Sequence, residues 1–128
     1  LIRYIAPPRA FREYLNAKIR DFEKNHNLVM DGRDIGTDVF PKTKYKFFLT
    51  ASADVRANRR HAELLGKGIK TDLSHLKEEI IARDMSDETR TVAPLRQASD
   101  AILIDTSESD TETVLNTILS RLNLPKQI

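Results

Sequence analysis

The 128-residue sequence contains no cysteine. Disulfide bonds and thiolate metal sites are thereby excluded, and the composition suits a reducing compartment, so a cytoplasmic location is expected. No apolar run approaches the ~20 residues of a membrane span and no signal-peptide pattern is visible, so no membrane partner is expected. His26, His61 and His75 lack the spacing of a ligand set, which speaks against a histidine-held metal. There are no internal repeats or low-complexity tracts. The net charge is only +2, too little to make the chain a nucleic-acid binder on electrostatics.

What is present is ordinary in amount and unusual in placement. Charged residues make up 31% and hydrophobic residues 40%, the balance of a globular protein long enough for about one domain with a genuine core. Twelve of the 21 basic residues are arginine, and they recur around one stretch, Leu28-Val29-Met30-Asp31-Gly32-Arg33-Asp34-Ile35-Gly36-Thr37. There an apolar run ends on an aspartate and a loop with two glycines, a second acid and an arginine follows. In α/β proteins, ligands sit outside the carboxyl ends of strands, where this loop would lie.

Taken in order, residues 1–8 read as a segment arriving from elsewhere, with Pro7-Pro8 marking the boundary before a helix. From about Arg9 to Lys24, Phe11, Leu15, Ile19 and Phe22 form the stripe of a helix with one buried face. Arg12 and Arg20 lie off that stripe. Leu28–Asp31 reads as a buried strand and Tyr45–Leu49 as a second, the continuous apolar runs of a parallel sheet covered on both sides. Ser52 or Asp54 caps a helix from about Ala53 to Leu65, stopped by Gly66-Lys67-Gly68. Thr71 or Asp72 caps a helix with Leu73, Leu76 and Ile80 on one face, running on to Met85. Ser86–Leu95 reads as a loop or a frayed helix end. Ala101–Asp105 is a third strand, and Asp110 or Thr111 caps a last helix through Leu122, ended by Pro125. The order α-β-β-α-α-β-α predicts an α/β fold, a parallel sheet flanked by helices, with few strands for such a sheet.

Several residues invite a chemical reading. Asp31, at a strand end before Gly32, is placed to orient a metal-bound water near phosphates, or merely to cap its own turn. Arg33 beside it favours the first, because a planar guanidinium matches phosphate. Gly36 is expected to supply a backbone conformation closed to other residues. Arg83, Asp87 and Arg90 fall at i, i+4 and i+7, either one functional face or a solvated ion-pair ladder. Arg56, Arg59 and Arg60 could neutralise a transferring phosphoryl group or could simply face water.

Together these stretches resemble the bacterial cytidylate kinase family, P-loop kinases that phosphorylate CMP and dCMP with ATP. The resemblance is carried by Asp31-Gly-Arg-Asp-Ile-Gly-Thr with Val39-Phe40-Pro41 and Phe48-Leu49, and by Arg56 with Arg59-Arg60. It continues in Arg83-Asp84 through Arg90-Thr-Val-Ala-Pro-Leu95, Ala98-Ser99-Asp100-Ala101 and Ile104-Asp105. It implies a single partial domain, residues 1–128, the C-terminal portion of a nucleoside-monophosphate kinase fold, with a lid over about residues 53–92. It also implies roles. Arg12 and Asp34 would read the cytosine edge, Arg33 would hold the acceptor phosphate, and Arg83 and Asp87 would contact the sugar. Arg90 would act near the transferring phosphate, Arg56 and Arg59 would meet ATP phosphates, and Asp31 would hold the Mg²⁺ shell through water. Arg59, Arg90 and Asp31 are thus the expected catalytic set, CMP or dCMP, ATP and Mg²⁺ the expected ligands, and a monomer the expected state.

The sequence departs from the family twice. Where the family has a small hydroxyl residue upstream of the arginine matching Arg12, this chain has Arg3. The phosphate-cradling Gly-x-x-x-x-Gly-Lys-Ser/Thr is nowhere in it, so the first strand and the P-loop are expected to precede Leu1. Kinase activity is accordingly expected of the intact enzyme and not of these 128 residues alone. The alternatives are a non-catalytic nucleotide- or anion-binding module, or a kinase for another monophosphate such as UMP.

Overall fold

The computed structural model describes residues 9–123; Arg3, Pro7-Pro8 and Pro125 lie outside them. The elements are α1 (Arg9–Glu23), β1 (Phe47–Thr50), α2 (Ala53–Gly66), α3 (Leu73–Thr89), β2 (Ile102–Asp105) and α4 (Thr111–Arg121). A five-residue π-helical turn, Ile35–Val39, sits in the segment between α1 and β1. β1 and β2 pair in parallel, Phe47 opposite Ile102 through Thr50 opposite Asp105, with α2 and α3 forming the crossover. Among the described residues no helix is long and apolar enough to cross a membrane.

The helix starts follow from side-chain capping. Ser52 Oγ accepts from Val55 N at 3.2 Å, Asp72 from Ser74 N at 2.9 Å and Asp110 from Thr113 N at 2.8 Å, each satisfying a donor that the first helical turn leaves unpaired. α2 ends in a Schellman motif. Gly68 takes φ +74°, its N–H donates to the Leu65 carbonyl at 3.0 Å, and Ile69 N donates to the Leu64 carbonyl at 2.8 Å. The small buried core lies between α2 and α3, where Ala57, Leu64 and Leu76 pack with Ile80.

Three sequence expectations need correction. Leu28–Asp31 forms no strand, and Val29 is 99% exposed, so the described sheet has two strands and not three. A strand exists only through a neighbour that takes its backbone groups, and no described strand pairs with this run. The α1 stripe is likewise not covered: Phe11 and Phe22 are 53% exposed and Leu15 40%. Finally, α3 runs through Thr89, so Ser86–Thr89 is helical and Arg90 is the cap residue with extended backbone. Arg83 and Asp87 therefore share a helix face, while Arg90 leaves the helix.

Candidate functional site

Polar clips, not apolar packing, tie α1 to the loop that follows it. Arg12 Nη2 donates to Asp34 Oδ2 at 2.8 Å, with the Asp34 side chain 9% exposed. Two turns on, Arg20 donates to the carbonyls of Val39 at 2.7 Å and Asp38 at 2.8 Å, closing the other end of the π turn. Residues eight apart lie on neighbouring faces of a helix, roughly 80° apart in azimuth and ~12 Å apart along the axis, so Arg12 and Arg20 reach the two ends of the same turn. Within the turn, the Asp34 carbonyl accepts from Asp38 N and Val39 N, fixing the backbone that carries the Asp34 carboxylate.

The next residue back points elsewhere. Arg33 Nε donates to Asp87 Oδ2 at 3.0 Å, linking the loop to α3. Asp87 also faces Arg90, whose Nη1 lies 4.0 Å from Oδ1. Arg90 curls back so that its Nε donates to the Ala93 carbonyl at 2.7 Å, and the Asp87 carbonyl accepts from Leu95 N at 2.8 Å. Ala93, buried, takes φ +51°, a left-handed conformation that costs an alanine on the order of 1 kcal/mol. The loop after α3 is thus bent sharply enough to return Arg90 to Asp87. Arg83 sits one turn before Asp87 on the exposed side of α3.

At the carboxyl ends of β1 and β2 a cavity of about 310 Å³ opens, lined by Thr50, Ala51, Arg56, Arg59, Asp84, Glu88, Leu95 and Thr106 among others. Arg56 makes a two-pronged bond to Asp84, at 2.8 and 2.5 Å, and its Nε donates to the Ala51 carbonyl at 3.0 Å. The hydrogen bond to Asp84 raises the pKa of this guanidinium above its ordinary value. Arg59 Nη1 donates to Thr106 Oγ1 at 3.1 Å, and its Nη2 to the carbonyls of Thr106 and, at 3.3 Å, Ser109. Arg60 instead pairs with Glu63 on the open face of α2.

The structure therefore gathers the sequence-selected residues into two groups, Arg12 with Asp34 and Arg33 with Asp87 and Arg90, and lines a cleft with Arg56 and Arg59. Asp31 stands apart, exposed and without a hydrogen bond or ion pair to any described residue. No group of three metal-ligating side chains occurs among the described residues. A lone exposed carboxylate fits a metal held chiefly by ligand phosphates and water, as Mg²⁺ usually is. Gly36 corrects an expectation. Its backbone is not left-handed; what its missing Cβ allows is the close passage of Lys46, whose Cδ would lie 3.3 Å from that atom. Lys46 itself was missed. The signal was a lone lysine inside the apolar run Tyr45–Leu49, where it is 8% exposed.

The crossover helices bring Arg56, Arg59 and Asp84 to the carboxyl ends of a parallel strand pair, the position at which α/β proteins hold ligands. The cytidylate kinase family profile matches residues 1–124, and the chain belongs to that family of P-loop nucleoside-monophosphate kinases. It is 50% identical over 115 residues to the cytidylate kinase of Pediococcus pentosaceus, covering 90% of this chain and 51% of that protein. To the cytidylate kinase of Geobacillus sp. it is 46% identical over 122 residues, covering 95% and 54%. To that of Methylococcus capsulatus it is 50% identical over 111 residues, covering 87% and 50%. The chain thus spans about half the length of the curated relatives it matches.

Proposed function

We propose that this chain is the acceptor-and-lid portion of an ATP-dependent kinase that converts CMP and dCMP to CDP and dCDP. The observation that carries the reading is the Arg12–Asp34 pair, a guanidinium and a carboxylate held side by side at 2.8 Å at the start of the Ile35–Val39 turn. A carboxylate accepts from the exocyclic amine of cytosine and a guanidinium donates to its ring acceptors, so the pair matches that base edge. Uracil carries an acceptor where cytosine carries the amine, which would leave the acid unpaired.

Arg33 binds the acceptor's phosphate, releasing Asp87 to a sugar hydroxyl; Arg83 joins it there. Arg90 neutralises charge on the transferring group. Arg56 and Arg59, on α2 of a lid spanning about residues 53–92, face the donor phosphates. Phosphoryl transfer needs positioning and charge neutralisation, and no covalent enzyme intermediate. Mg²⁺, when bound, would supply positive charge toward the donor phosphates, and Asp31 is the residue that would hold it through water. The expected product is a monomeric cytoplasmic enzyme of pyrimidine metabolism.

The test is direct. The 128-residue chain, purified alone with ATP, Mg²⁺ and CMP, is expected to give no CDP, because its sequence has no phosphate-cradling Gly-x-x-x-x-Gly-Lys-Ser/Thr. A longer protein that includes a preceding P-loop segment should phosphorylate CMP in preference to UMP and AMP. Turnover by the isolated chain would sink the division of labour. Binding of CMP with no turnover by the longer protein would favour a non-catalytic nucleotide-binding module.

A further inference from the structure

Lys46 turns its ammonium onto protein acceptors. Its Nζ donates to the Pro41 carbonyl at 2.5 Å and to the two carboxylate oxygens of Asp100 at 3.0 Å each. The side chain is 5% exposed, so the ammonium has been taken out of water, and a carboxylate and a backbone carbonyl offset that cost. The backbone carbonyl accepts from Ile102 N at 2.9 Å, anchoring Lys46 to the start of β2. Between these two fixed ends the stem runs beneath the π turn, against Gly36.

The turn is thereby bracketed on three sides: Arg12 at Asp34, Arg20 at the Asp38 and Val39 carbonyls, and Lys46 beneath Gly36 and at Pro41. If a base takes over the donors and acceptors of Arg12 and Asp34, the first bracket loosens and the other two must hold the loop. A leucine in place of Lys46 would fill the same space yet leave the Pro41 carbonyl without its donor.

We infer that Lys46 is a positioning residue for acceptor recognition, holding the Asp34–Val39 turn through Gly36 and Pro41 with Asp100 as its counter-charge. The inference rests on the acceptor reading above. Lys46→Met keeps the stem and removes the ammonium. In the longer, active protein this variant is expected to raise the KM for CMP by about tenfold and to narrow the CMP-over-UMP preference, with the KM for ATP unchanged. Lys46→Arg, which retains the charge, should recover part of the preference. Asp100→Asn, altered at an exposed carboxylate, should shift the CMP KM in the same direction, and it serves if Lys46→Met fails to fold. Unchanged acceptor KM and preference in folded variants would overturn the proposal, as would an equal loss toward CMP, UMP and ATP, the mark of a merely structural role. Failure of the unsubstituted protein to phosphorylate CMP would overturn the acceptor reading itself, and Lys46's role with it.

Discussion

Arg12 and Asp34 meet at 2.8 Å from positions 22 residues apart, and their side chains are only 19% and 9% exposed. The two groups proposed to read a base thus satisfy each other. Asp34→Asn keeps the shape and removes the charge, leaving the Arg12 guanidinium partly buried without a counter-ion. It is expected to cost about 1–3 kcal/mol of stability, read by denaturant unfolding. In the longer enzyme the same substitution should narrow the preference for CMP over UMP. Cytosine preference that survives it would remove Asp34 from base reading.

The sequence made the chemistry more legible than the packing. Asp34, Arg33 and Asp87 could be picked out because charged residues of fixed type recur around a glycine loop, and the helix caps because a hydroxyl or carboxylate preceded each apolar pattern. The Leu28–Asp31 strand and the covered α1 face could not be judged the same way. An apolar run shows that a segment can be buried, whereas burial needs a partner element, and Val29 at 99% exposure has none among the described residues. Spacing puts Arg83, Asp87 and Arg90 on one face only if the segment is helical throughout, but the helix ends at Thr89, Arg90 already has extended backbone, and the left-handed Ala93 at φ +51° lies in the loop beyond. Lys46 was hidden because its role depends on Pro41, Gly36 and Asp100 meeting in space, which no local pattern records.

The Arg56–Asp84 fork joins α2 to α3 beside the cleft, with side chains 36% and 32% exposed. Lysine offers a point charge in place of a planar fork and cannot also reach the Ala51 carbonyl along the same geometry. Because the pair is partly solvated, Arg56→Lys is expected to cost about 1 kcal/mol or less. A double-mutant cycle with Asp84→Asn should return a coupling of similar size, smaller at high salt. A coupling near zero at low salt would show that water already satisfies both groups.

Leu76 closes the small α2–α3 core from the α3 side at 8% exposure, against Ala57 at 1% and Leu64 at 9%. So few residues share this burial that truncation has little around it to collapse into the gap. Leu76→Ala is expected to destabilise the hairpin by about 2–4 kcal/mol. Hydrogen exchange should report the loss in α2 and α3 before it reaches β1 and β2, since the hairpin core is separate from the strand ladder. Uniform loss of protection would mean that the hairpin and sheet unfold as one unit.

Asp100 carries the pH dependence of the Lys46 contact. The hydrogen bond from the Lys46 ammonium holds its carboxyl below the usual 3.8. A depressed folded-state pKa means that the folded chain binds the proton less readily than the unfolded chain. The stabilisation is therefore fully present well above 3.8, begins to fall as the pH drops through that value, and is gone once the folded-state value has been passed. Above about pH 6, neither state changes its protonation at this site, so the contribution should be flat. Asp100→Asn has no carboxyl to titrate, and its stability should fall less steeply than wild type on acidification below about pH 4, other carboxylates contributing equally to both. Parallel acid-unfolding curves for the two proteins would show that Lys46 draws no stability from Asp100, and that the Pro41 carbonyl alone holds the ammonium beneath the turn.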